Sequence, residues 1–164
     1  MSTPAMLSPD DKTALRRALG AFATGVTIVT ARSSEGEPVG FTANSFTSVS
    51  LEPPLVLVCL AHTAASYDVF RQIDSFAVNV LEAGQEEMAK RFASRGADKF
   101  VGTPWAPGRL GAPLIEGALS RFDCAMHQRV VAGDHDILMG RVVGFSLHEG
   151  AALLYYSGAF KALA

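Results

Sequence analysis

The stretch Leu119–Leu147, LSRFDCAMHQRVVAGDHDILMGRVVGFSL, decides the fold. Its first half alternates. Phe122, Cys124, Met126 and Gln128 fall on one side and Arg121, Asp123, His127 and Arg129 on the other, the period of a strand with one face on a core and one in solvent. Gly133-Asp134 supplies a turn, after which Ile137, Met139, Val143, Phe145 and Leu147 continue the same two-residue period. Two long strands joined by a tight turn predict a β-hairpin in an antiparallel sheet.

Upstream, Ser8 as N-cap, Pro9 at the first helical position and Asp10 and Asp11 at the positive end of the dipole predict a helix running to about Ala23. Gly25 ends it. Val26–Thr30 is β-branched strand, Ser33–Glu37 a turn, and the chain returns at Pro38 as a hairpin. Leu55–Leu60 is apolar on both faces and predicts a core strand, Ser66–Ile73 a short helix, Phe76–Leu81 a strand and Glu86–Ala93 a helix. Residues 94–117, rich in Gly and Pro around Trp105, predict a long irregular loop, and Ala152–Tyr156 a last strand. Six or seven strands with few helices make a mainly β fold, best closed into an antiparallel barrel that leaves no edge exposed. With no repeat and no linker, 1–164 reads as one domain.

Composition bounds the partners. Apolar residues make up 49% and charged residues only 18%, little polar surface for a small monomer, so an oligomer is expected. A net charge of -2 without a basic cluster argues against nucleic acid. Met1–Asp11 lacks a signal pattern, and the longest apolar run, Leu55–Ala61, is too short to span a bilayer, so the expected setting is cytoplasmic with no membrane. Cys59 and Cys124 stand apart in apolar strands and read as reduced, buried thiols.

Four segments carry candidate chemistry. No Gly-x-Gly-x-x-Gly or phosphate-loop motif occurs, so any nucleotide binds by other means. Gly40–Ser50 packs small hydroxyl and amide side chains between apolar anchors, which suits a flat heteroaromatic ligand or an ordinary edge strand. Cys59–Ser66 ends a strand and opens a helix, where free N–H groups favour phosphate, though Ser66 also reads as a plain cap. Arg91 is either a bidentate phosphate ligand or a solvated charge. His135 in Gly133-Asp134-His135-Asp136 is either a hairpin-tip histidine or a group that orients a polar amide. His62, His127 and His148 lack supporting spacing, so no metal site is expected.

Together these stretches resemble the flavin reductase family, the small components of two-component flavin-dependent monooxygenases. The resemblance rests on Phe22–Thr27, Gly40–Leu57, Phe76–Leu81, Arg91-Phe92-Ala93, Gly133-Asp134-His135 and Leu154–Gly158, and covers nearly the whole chain. It implies an FMN-binding split barrel, an antiparallel Greek-key barrel that works as a homodimer. It implies binding of FMN or FAD and of NADH or NADPH, with reduced flavin released to a separate monooxygenase. By the same resemblance Thr42, Ala43, Asn44, Ser45, Val49 and Ser50 line the flavin ring and ribityl chain, and Thr24 is a further cofactor-binding residue. Cys59, Leu60, Ala61, His62, Ser66, Arg91 and Phe92 surround its phosphate end. Gly133, Asp134 and His135 meet the nicotinamide, with His135 the catalytic candidate, and Tyr156 closes the pocket. Ala61-His62-Thr63-Ala64-Ala65 departs from the commoner pattern, where relatives often place Lys, Asn or more Ser, so FMN and FAD both stay open. Two other activities stay open too: a reductase or oxidase that retains FMN and acts on a small organic substrate, and a non-catalytic flavin-binding protein.

Overall fold

A computed structural model describes residues 4–96 and 98–163, so residues 1–3, 97 and 164 of the expected domain lie outside it. Along the chain run α1 (Lys12–Gly20), β1 (Thr24–Gly25), β2 (Thr27–Arg32), β3 (Pro38–Ala43), β4 (Thr47–Leu51) and β5 (Pro54–Ala61). They are followed by α2 (Tyr67–Phe70), β6 (Ser75–Val80), α3 (Glu86–Ala93), β7 (Trp105–Pro107) and β8 (Pro113–Ile115). The chain finishes with β9 (Ser120–Ala132), β10 (His135–Leu147), β11 (Leu153–Tyr156) and β12 (Ala159–Ala162). The fold is mainly β, and all its strand pairs are antiparallel among the described residues. The order β3-β2-β6-β9-β10-β5-β4 makes a seven-stranded sheet, flanked by a small β1-β11-β12 sheet and the β7–β8 hairpin.

The expected long hairpin is β9–β10, and it stands inside the sheet between β6 and β5. Gly133 takes φ 65 in its two-residue turn, a left-handed value a side chain would oppose. The uninterrupted alternation expected along it is corrected by two register shifts, which leave His127 and Val143 unpaired in the ladder. Each extra residue reverses which side faces the core. Arg129, expected in solvent, therefore turns under α2 and donates to the carbonyls of Phe70, at 3.1 Å, and Ile73. Phe145 comes to stack on Phe122, yet both Phe145 and Leu147 remain 76% and 77% exposed. Asp123 is also corrected: it is buried beneath the β7–β8 hairpin, accepting from Leu110 N–H at 3.3 Å.

β2 shows why this sheet is buried on both faces. Val29 and Ala31 join Phe41, Val58, Phe76 and Leu138 in one core, while Ile28 and Val26 join Leu81, Ala89 and Phe92 in a second core beneath α3. Burying the Phe92 ring contributes on the order of 3 kcal/mol. Asn79 ties the β7–β8 hairpin down, donating to Ile28 O at 3.0 Å and accepting from Ile115 N–H at 2.8 Å.

Three expectations change further. The first helix is shorter than 8–23: Asp11, not Ser8, caps it, accepting from Ala14 N–H at 3.0 Å, and it ends at Gly20. The loop expected over 94–117 contains β7 and β8, three residues each and too short for any period to register. Twelve strands occur among the described residues rather than six or seven, the additions being short ones such as β1, β4 and β12.

Candidate functional site

Register places the site. Because β10 pairs with β5, with His135 opposite Ala61, the tip of the long hairpin stands over the end of β5. Ser45 locks the end of β3 to the same strand: its hydroxyl accepts from Cys59 N–H at 2.9 Å and donates to Cys59 O at 3.3 Å. α3 covers the other side, pinned where Thr42 Oγ1 donates to Ala89 O at 2.6 Å. These elements enclose a cavity of about 340 Å³, within the range of small-ligand sites.

Of the residues expected to bind, Thr42, Ala43, Asn44, Ser45, Cys59, Leu60, Ala61, Ser66, Phe92 and His135 line this one cavity. Its walls are mostly neutral hydroxyl, amide and apolar groups. The remaining residues do not line it. Thr24 pairs with Tyr155 in β1, its hydroxyl buried without a hydrogen-bond partner among the described residues. Val49 and Ser50 lie on edge strand β4, where Ser50 Oγ accepts from Glu52 N–H at 3.2 Å. Tyr156 is exposed in β11, and Gly133 and Asp134 form the turn behind His135.

Arg91 points elsewhere. Its guanidinium donates to Lys99 O at 3.1 Å and to Thr103 Oγ1 at 2.5 Å, organising the loop after α3. The cations that line the cavity are Arg95 and Lys99. Arg95 donates to Thr63 O at 3.2 Å, and Lys99 Nζ to Phe92 O at 2.9 Å and Gly40 O at 3.3 Å. Burial pulls the Lys99 ammonium below its ordinary range. Neither was expected. The available signal was two cations within a turn or two of a helix already carrying candidate residues. α2 is one turn long, so its dipole offers an anion little, and charge at this end comes from side chains.

His135 Nδ1 lies 2.7 Å from Asp134 Oδ1, which orients the ring and leaves Nε2 as the nitrogen for a ligand. That hydrogen bond, then the imidazole's charge, holds the Asp134 carboxyl below the usual range. His62 turns away from the cavity, with Nε2 2.8 Å from Asp136 Oδ1, while Tyr67 O–H donates to Asp136 Oδ2 at 3.1 Å. Desolvation, then this carboxylate, raises the Tyr67 hydroxyl above its ordinary range. Cys59 is only half-buried and faces the cavity, whereas Cys124 is buried as expected. A second cavity of about 490 Å³ adjoins the first, sharing Thr42, Asn44, Ala93 and Ser94 and adding the rings of Tyr155 and Phe160.

Among the described residues no group of three His, Cys, Asp or Glu side chains could hold a metal, and no helix is long and apolar enough to cross a membrane.

Residues 19–164 match the flavin reductase like domain. A probable flavin reductase of Rhizobium meliloti is 46% identical, over 92% of this chain and 48% of its own length. An NADH-dependent FAD reductase of Streptomyces globisporus is 44% identical, over 97% of this chain and 90% of its own. The solved NADH:FAD oxidoreductase of Streptomyces globisporus, in complex with NAD and FAD fragments, superposes with a TM-score of 0.92 at 44% identity, covering 98% of both chains. The chain spans 48% of the length of that Rhizobium meliloti relative and 66% and 47% of two other curated relatives, so about half to two thirds of those proteins.

Proposed function

Because this chain belongs to the flavin reductase like domain family, we propose that it is an NAD(P)H:flavin oxidoreductase that passes a hydride from NADH or NADPH to FMN or FAD and releases reduced flavin to a separate monooxygenase. The observation that carries this reading is the single cavity into which Thr42–Ser45, Cys59–Ala61, Ser66 and His135 converge from distant parts of the chain. The residues fit the two groups: the walls are neutral and hydrogen-bonding where a flat ring would lie, and cationic at Arg95 and Lys99 where a phosphate would end.

Bound flavin and nicotinamide supply the hydride acceptor and donor, so the work of this chain is alignment and charge. The Thr42 and Ser45 hydroxyl protons are committed to Ala89 O and Cys59 O, so the donors this segment offers the ring are backbone N–H groups and the Asn44 amide, and such fixed donors stabilise negative charge that develops there. Phe92, buried beneath α3 against Gly40, backs the cavity from the core. Arg95 and Lys99 hold the phosphate end together with Ser66. His135, oriented by Asp134, presents Nε2 to the nicotinamide amide and needs no proton of its own to transfer.

The sheet closes, in this reading, as a split barrel spanning one domain over 1–164. β3 and β4 stand at opposite edges yet are joined by residues 44–46 alone. Flat, those edges would lie about 29 Å apart, whereas the link reaches at most roughly 14 Å. A homodimer is supported by apolar surface that nothing among the described residues covers. α1 buries none of its residues and, with Phe22, exposes Leu15 and Leu19, while Phe145 and Leu147 are exposed at the end of β10. The unpaired thiols Cys59 and Cys124 fit a cytoplasmic setting.

Anaerobic stopped-flow oxidation of NADH and of NADPH, with FMN, FAD and riboflavin each in excess, tests the activity. Rapid flavin-dependent oxidation with release of reduced flavin is expected. Flavin binding without turnover would refute it in favour of a flavin-binding module, and a protein that purifies yellow and retains FMN would refute the release step.

A further inference from the structure

The cavity wall at 63–66 is built from Thr63, Ala64, Ala65 and Ser66, side chains too small to anchor a loop by their own packing. Backbone bonds hold it at His62 N–H, which donates to Asp134 O at 2.9 Å, and at Ala64 N–H, which donates to Ala61 O at 3.0 Å, and a cluster of side chains holds it from beneath. Asp136 is 4% exposed, and each of its oxygens is taken by a residue flanking the turn: Oδ1 by His62 Nε2 at 2.8 Å and Oδ2 by Tyr67 O–H at 3.1 Å. The two rings also lie 5.0 Å apart, closing a small loop of contacts beneath the turn. From outside, Arg95 grips the same segment through Thr63 O. A buried carboxylate is expensive to keep unless both oxygens are bonded, so its partners are held firmly in place.

We infer that Asp136 is a positioning residue that clamps the 62–67 turn through His62 and Tyr67, so that the turn meets the phosphate end of the flavin in one fixed shape. The inference rests on the flavin-reductase reading of the cavity. It also gives adjacent residues of β10 separate tasks: His135 lines the cavity, and Asp136, on the opposite side of the strand, holds its phosphate wall. His62, which departs from the commoner family pattern, acts through Asp136 rather than on the ligand.

Dissociation constants for FMN, FAD and riboflavin, read by flavin fluorescence, test this on the full chain as His62→Ala, Tyr67→Phe, His62→Gln and Asp136→Ala. Losing a charge-assisted bond to the clamp is expected to weaken FMN and FAD about tenfold in His62→Ala, less in Tyr67→Phe, and to leave riboflavin, which lacks the phosphate, within about twofold. His62→Gln, whose amide still donates to Asp136, is expected to recover most of the loss. Riboflavin weakened as much as FMN, or no loss of FMN affinity, would overturn the clamp. If Asp136→Ala does not fold, the two partner variants still decide. Wild-type protein that binds FMN no better than riboflavin and does not oxidise NAD(P)H would instead overturn the flavin-reductase reading, a separate result.

Discussion

Gly40→Ala is expected to destabilise the protein and loosen the cavity together. Gly40 sits in β3 opposite Thr30, under α3, and a Cβ built there would lie 2.9 Å from the carbonyl oxygen of Val29 and 3.0 and 3.2 Å from two carbons of the Phe92 ring. The ring can rotate or shift, but the carbonyl belongs to the paired strand β2 and yields only if the sheet deforms. Overpacking of this kind costs about 2–3 kcal/mol, which for a chain of this length lowers Tm by about 4–12 °C. Helix α3 is the element free to lift. Lys99 Nζ bonds both Gly40 O and Phe92 O, so a lifted helix displaces the cationic end of the cavity, and FMN affinity is expected to fall with Tm. Thermal melts and flavin titrations of Gly40→Ala, alone and with Phe92→Leu, separate the contributions. Shrinking the ring is expected to recover about 1 kcal/mol of the alanine penalty and no more, because the carbonyl contact stays. Wild-type Tm within about 1 °C and unchanged FMN affinity in Gly40→Ala would refute the reasoning.

His135→Ala is expected to raise the Michaelis constant for NAD(P)H about tenfold with a smaller effect on flavin binding, and an equal loss in both titrations would contradict its assignment to the nicotinamide. Asn44→Ala, at the junction of the two cavities, is expected to do the reverse, as flavin titration and NADH kinetics will show. Burial, then the neighbouring Asp123 charge, pushes the Cys124 thiol up to about 12, so a thiol reagent is expected to modify one cysteine in the native protein, Cys59, and two after denaturation. The sign of that shift also sets a pH dependence. The unfolded thiol ionises near 9.0 while the folded one resists. Stability is therefore expected to fall as pH rises above that value, by up to about 1.4 kcal/mol per pH unit, which urea midpoints at pH 8 and pH 10 or so will measure. Phe145→Glu with Leu147→Glu is expected to convert the proposed dimer to monomer in sedimentation, and an intact dimer would remove that end of β10 from the proposed interface.

Much of this architecture was legible in the sequence wherever a segment was long and regular. The β9–β10 hairpin, β5 and α3 each announce themselves by period or by a run of apolar residues. Alternation failed where an extra residue enters the ladder, as at His127 and Val143, because a bulge reverses the sides without changing composition. Three-residue strands such as β7 carry no period at all. The cavity was half legible. Small polar residues at 42–45 and the turn at His135 were identified together by family resemblance, since no local pattern joins segments that far apart. Arg95 and Lys99 escaped because a cation in a Gly-rich stretch looks solvated until the fold brings it to backbone carbonyls, Thr63 O for Arg95 and Phe92 O and Gly40 O for Lys99. Arg91 misled for the complementary reason: a guanidinium next to the expected site serves the loop at 99–103 instead.

β10 lies between β9, its neighbour in sequence, and β5, where Ile137 pairs with Cys59. A ribosome releasing this chain in order delivers β5 and the turn at 61–66 well before the strand that will flank them. Until then one edge of β5, apolar on both faces, waits without its ladder partner. Pairing across so many residues is slow relative to local hairpin closure, so the nascent chain has a period in which that edge is open to other chains. The cavity arises in the same step that ends the exposure, when His135 arrives opposite Ala61. A ligand of this cavity, flavin in the proposed reading, has no complete site before that step and stabilises the finished fold by mass action after it.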